Sequence, residues 1–179
     1  MTGPSFRHVR RSGRYLRVAD PAWRRPLDAA FAAEHGGRWN PPGSFPVAYL
    51  CRTLAVARAS VARRFEGLPY GVLDLHPDRR PVLVATHVPP HRSVDVVTDL
   101  GCRSAGLPSS YPFDGRGARI GWARTQPIGV AAHEAGERSI SRRSAALPRG
   151  VSGEELAWFV RSRADALKLE ERRAFDDWF

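Results

Sequence analysis

Lysine is almost missing from this chain. Lys168 is the only one among 179 residues, so arginine carries nearly all of the 28 positive side chains and the net charge of +10. That skew comes with abundant Ala, Gly and Pro and reads as a compositional bias rather than a surface built for one sign. A high positive charge favours contact with polyanions. The arginines are scattered, however, and no basic helix or zinc-finger spacing gives them a nucleic-acid geometry. Cysteine is equally scarce: Cys51 and Cys102 make no disulfide framework and point to a reducing, cytoplasmic setting. No apolar run approaches the roughly 20 residues that span a bilayer. The basic start MTGPSFRHVRRSGRY is followed by no apolar segment, so neither a membrane span nor a signal peptide is expected. The histidines are dispersed and offer no set of three or four convergent ligands, so no metal site is expected. GRGARIG at 115–121 has glycines without the strand-to-helix context of a dinucleotide loop.

What is present suits one globular domain, with 42% apolar and 26% charged residues. Residues 1–14 read as a flexible basic N-terminus. YLRV at 15–18 reads as a first strand, RRPLDAAFAAE at 24–34 as a short helix stopped by His35-Gly36-Gly37, and Phe45–Cys51 as a strand. Thr53 caps a helix, LAVARASVARRF. PVLVATHV at 81–88 is a central strand that Pro89-Pro90 breaks, and Ser93–Val97 is another. Residues 101–118 form a long irregular connection. A helix over 121–135 places Pro127 in its first turn, and 139–144 is a short polar strand or loop. LAWFV at 156–160 is a last strand, although Ser152 and Glu155 also fit a helix capping box. The tail from 161 to 179 is helical, with Leu167, Phe175 and Trp178 available to dock. The sum is an α+β fold, a single mixed-sheet domain over 15–160 with a C-terminal helical tail.

One run is richer than its local structure demands. GGRWNPPGSFPVAYLC at 36–51 needs its glycines and prolines to turn, but neither Arg38 nor Trp39. A guanidinium on such a turn, beside Trp39 and Asn40, suits bidentate contact with phosphate or carboxylate. Equally, Trp39 could plug the core while Arg38 makes a surface ion pair. Tyr49 taken alone reads as a core aromatic whose hydroxyl finds a partner, and Ser144 as a hydroxyl in a basic setting.

This run resembles the signature of the RES domain, a family named for its Arg, Glu and Ser positions. YLRV at 15–18, RPVLVATHV with VDVVTDLG, and TQPIGVAAHEAG with SISRRSAAL are similar to further segments of the family in the same order, giving coverage from Tyr15 to Val160. The resemblance implies a fold like that of ADP-ribosyltransferases. It also implies an NAD+-consuming transferase that breaks the nicotinamide–ribose bond by phosphorolysis or hydrolysis. NAD+ is then substrate rather than cofactor, inorganic phosphate is the acceptor in phosphorolytic members, and no metal is involved. It further implies a toxin that pairs with a helix-turn-helix antitoxin and commonly forms a homodimer. Carried over position by position, Arg17 and Arg38 match the family's arginines, Tyr49 its tyrosine and Ser144 its serine, with Trp39 and Asn40 in the signature around them.

The carboxylate is the exception. The family's glutamate position falls at Ser60, or at Ala59 with a shift of one residue, and no acid lies between Thr53 and Arg64. Glu66 is nearly two turns further on and faces another way. Glu34 could reach in, but nothing requires it. Losing one preorganised electrostatic group typically lowers a rate by ~10²–10³. The alternatives are therefore a slow enzyme, a catalytically impaired domain that binds a nucleotide or partner protein, or an acid supplied from elsewhere.

Overall fold

The computed structural model describes residues 5–179. Two long strands dominate it. β1 (His8–Ala19) and β3 (Val82–Val96) run antiparallel from His8↔Val94 to Ala19↔Val82. β1 thus starts inside the segment read as flexible, because β3 extends far enough to pair with it. β3 is likewise one strand rather than two. The register slips between Arg11 and Gly13, so Pro89 and Pro90 face the bulge around Ser12, where their missing N–H groups interrupt no ladder. Gly13 sits there at φ 94°, a left-handed value that suits glycine.

β2 (Val47–Cys51), β4 (Ser139–Arg143) and β5 (Glu154–Phe159) complete the central sheet. β5 lies between β2 and β4, antiparallel to both, and β4 joins the far end of β3 in parallel. Because β1 also touches β2 at Leu16↔Cys51, the strands β1, β2, β5, β4 and β3 close into a ring. The segment 156–160 is therefore strand and not helix: its LAWF residues are buried between two neighbours.

Helices α1 (Ala30–His35), α2 (Leu54–Arg64), α3 (Asp99–Ser104) and α4 (Trp122–Glu134) surround the sheet. α2 begins as expected, with Thr53 Oγ1 accepting the Val56 N–H at 3.3 Å. α1 is shorter than the predicted 24–34 helix: Asp28 Oδ1 takes the Ala30 N–H at 2.9 Å and so starts the helix after Pro26 rather than at it. The connection read as irregular over 101–118 opens in α3, capped by Thr98. Pro127 lies inside α4, beyond its first turn. Tertiary bonds hold that region in spite of the proline, Thr125 Oγ1 donating to the Arg38 carbonyl (2.5 Å) and Gln126 Nε2 to that of Gly37 (3.0 Å).

The tail corrects the sequence reading most clearly. It is not a helix: β6 (Leu169–Arg173) pairs antiparallel with the first half of β3, flanked by short 3₁₀ turns. An unpaired edge on β3 offers ladder hydrogen bonds that outweigh the helical propensity of LKLEERR. Phe175 and Trp178 still dock, packing with Val56 and Val61 of α2, and Arg58 Nε donates to the Trp178 carbonyl at 2.8 Å. The element that borders the cleft described next is thereby pinned from behind.

Candidate functional site

The turn at 36–40 is built backwards from Tyr49. Its hydroxyl donates to Asn40 Oδ1 (2.7 Å) and accepts the Trp39 N–H (2.9 Å). Gly37 passes so close that a Cβ there would lie 2.5 Å from the phenol oxygen, and Gly36 takes φ 77°. Asn40, fully buried, donates its amide to the carbonyls of Ala32 (2.5 Å) and Phe45 (3.3 Å). Trp39 fills the core beside Tyr111 and Phe159. Trp39 and Asn40 thus hold the turn from inside, and what the turn presents outward is Arg38.

Arg38 faces a cleft of about 400 Å³, within the range of small-molecule sites. Arg17, Arg38, Tyr49, Ser60, Arg142 and Glu155 all line it. Four of these were expected from sequence and lie far apart in the chain. Ser144 is buried behind the wall rather than on it, and reaches the cleft through Glu155, to which its Oγ donates at 2.5 Å. A second cavity, about 500 Å³, lies between 24–29 and 160–169. It contains none of the candidate site residues named from sequence, and the arginines favour the smaller one.

Arginines define this cleft. Arg17 is 6% exposed; its Nη1 donates to the Asp28 carbonyl (3.0 Å) and its guanidinium lies 5.6 Å from the Trp23 ring centre. Burial lowers its pKa to about 10 despite the counteracting pull of Asp28. Arg38 and Arg64 are lowered for the same first reason. Among the described residues no carboxylate forms a salt bridge with any of these three. Arg17 is buried, Arg38 half-buried and Arg64 exposed, and three cations on one cleft with no paired carboxylate favour an anionic ligand.

Arg142 is different. Its side chain pairs with Glu155 Oε2, and although burial opposes its charge, Glu155, Tyr111 and Tyr49 more than offset this and raise its pKa. Its Nε is buried without a hydrogen-bond partner. Sheet register explains the arrangement. Cys51, Glu155 and Arg142 are directly opposed on β2, β5 and β4, so they form one row on one face. Ser60 stands over that row from α2, donating to the Val56 carbonyl (2.9 Å) with its Oγ 3.9 Å from Cys51 Sγ. Cys51 is no nucleophile, since burial pushes its thiol up to about 12. Tyr49 is raised to about 12 by burial too, so it works as a neutral phenol.

Sequence reasoning missed Glu155 and Arg142 as members of the site. The available signal was an acid directly before LAWF, the buried apolar run of the same strand. The two acids considered from sequence are elsewhere: Glu34 is exposed, and Glu66 pairs with Arg63 and Arg119. No cluster of metal-binding side chains occurs among the described residues.

A mixed sheet flanked by helices thus carries an arginine-lined, acid-containing cleft beside a GGRWN turn. The chain belongs to the RES domain family, whose model matches residues 7–176. The chain is similar in structure to a chain of the M. tuberculosis MbcT–MbcA toxin–antitoxin complex, with TM-score 0.75 and 22% identity, covering 96% of this chain and 91% of that one. That likeness supports the fold. No curated protein matches the chain.

Proposed function

We propose that this protein is a RES-type enzyme that consumes NAD+ by breaking its nicotinamide–ribose bond. The observation that carries the proposal is the convergence of Arg17, Arg38 and Arg64 on one cleft without carboxylate partners. A pyrophosphate supplies the counter-charge they lack. Anchoring it fixes the ribose carbon over the sheet floor, which removes much of the entropic barrier. The Tyr49 ring forms part of the wall against which the nicotinamide–ribose end packs.

In the reaction, the C–N bond breaks and both electrons leave with nicotinamide, which departs as a neutral base and needs no acid. An oxygen of inorganic phosphate or of water bonds to the ribose carbon, and any surplus proton passes to solvent. Oxocarbenium character develops at that carbon in between, so a nearby negative charge lowers the barrier.

The similarity to a chain of a toxin–antitoxin complex supports a toxin whose cleft is closed by an antitoxin, acting in the cytoplasm on free NAD+. Buried, unpaired Cys51 and Cys102 suit such a reducing setting. The test is incubation of purified protein with NAD+, with and without phosphate, and quantification of nicotinamide. Release that is lost in Arg38→Ala supports the proposal. ADP-ribose raising the melting temperature with no nicotinamide released would instead favour a nucleotide-binding domain without turnover.

A further inference from the structure

An acid is missing from α2, yet the cleft is not without one. We infer that Glu155, rising from the sheet floor, is the catalytic carboxylate of this chain and takes the place that Ser60 leaves empty. The inference rests on the NAD+-cleaving reading above and specifies which side chain opposes the developing positive charge.

Three observations converge on Glu155. First, position: it shares a sheet row with Cys51, and Ser60 lies directly over Cys51, so Glu155 approaches from below the region that a longer residue at 60 would approach from above. Second, preorganisation. Oε1 accepts the Ser144 hydroxyl and Oε2 pairs with Arg142, so both oxygens are held, and burial to 7% exposure restricts the chain further. Third, capacity: a carboxylate has about four acceptor sites, and these two partners leave others for ribose hydroxyls or the reacting carbon. Arg142 draws off part of the charge, but it also prevents the carboxylate from swinging toward Arg17 or Arg38, which the substrate phosphates need.

Ser60 then has a purpose of its own. A glutamate at 60 would bring a second carboxylate against Glu155, and two such charges at short range disfavour each other. A small hydroxyl satisfied by its own helix leaves room. Ser144 and Arg142 act as positioning residues, through Glu155.

The experiment measures nicotinamide release and ADP-ribose-induced thermal shift in four proteins: wild type, Glu155→Gln, Ser60→Glu, and Ser60→Glu/Glu155→Gln. Glu155→Gln should lower kcat by ~10²–10³ while keeping a thermal shift, because the arginines remain. Ser60→Glu alone should gain nothing, and the double variant should recover at least tenfold over Glu155→Gln, the acid having been moved from floor to helix. Should loss of the acid strand Arg142 and unfold the protein, Glu155→Gln/Arg142→Gln replaces it, with the fold checked by circular dichroism. Activity within twofold of wild type in a folded Glu155 variant overturns the inference and leaves NAD+ cleavage standing. A wild type that releases no nicotinamide overturns the underlying reading, and this inference falls with it. Ser144→Ala should reduce kcat more than it changes KM; the reverse pattern counts against a positioning role.

Discussion

The phenol of Tyr49 donates to Asn40 Oδ1 across 2.7 Å, joining a strand to the turn nine residues before it. The same oxygen takes the Trp39 N–H, so one atom fixes the backbone that aims Arg38 into the cleft. Tyr49→Phe leaves a buried amide oxygen and a backbone N–H unpaired, at ~1–3 kcal/mol for each such group. A stability loss of about 2 kcal/mol in urea denaturation is expected, together with weaker ADP-ribose binding. Unchanged stability would show that the turn holds itself.

Gly129 on α4 packs against the backbone of Trp39, and a Cβ there would run into the Trp39 carbonyl. Backbone has little room to yield. Gly129→Ala should therefore cost about 3 kcal/mol, at the upper end for overpacking, even though alanine favours helix. Differential scanning calorimetry would detect it. Gly121→Ala, where the added methyl meets open space, serves as the control.

Arg17 is a buried cation with no salt-bridge partner among the described residues, and the proposed role on phosphate separates its effect on the empty protein from its effect on the loaded one. Arg17→Met removes an uncompensated charge, so the unliganded melting temperature should change little. The rise that saturating ADP-ribose produces in the wild type should shrink sharply, as linkage requires. A loss confined to the unliganded protein would make Arg17 structural.

Alkaline pH should weaken the fold. Burial raises Cys51 to about 12 and Cys102 to about 11, from an ordinary value of 9. The unfolded chain then ionises first and binds fewer protons than the native one, so stability is full below pH 9 and declines as pH rises above it. Arg17, lowered to about 10, acts in the opposite direction above that pH, so the cleanest window is pH 8 to 10. Guanidinium midpoints should fall across it, and Cys51→Ala should flatten the slope. In the native state Cys51 should also resist iodoacetamide at pH 8.

Local signals were enough for much of the architecture. Thr53 marked the start of α2, the VLVATHV run the central strand, and Phe45–Cys51 the strand carrying Tyr49, because each depends on nearby residues and their periodicity. The misses came where distant partners decide. The LKLEERR segment is helical by propensity and became strand because β3 had an edge to fill. Pro89-Pro90 looked like a strand break until the bulge opposite made their lost donors harmless. In the cleft, Arg17, Arg38 and Tyr49 were found through a motif. Glu155 was not, since its place depends on register across three strands separated by about a hundred residues of chain.

The closed ring of strands also has a consequence for self-association. A ring conceals part of the hydrogen-bonding rims that would let one molecule zip onto another, and among the described residues β6 is one border left over. Its sequence, Leu169-Glu170-Glu171-Arg172-Arg173, sets two acids beside two bases along that border. Fibre-like growth from it would bury those charges, so the border discourages stacking.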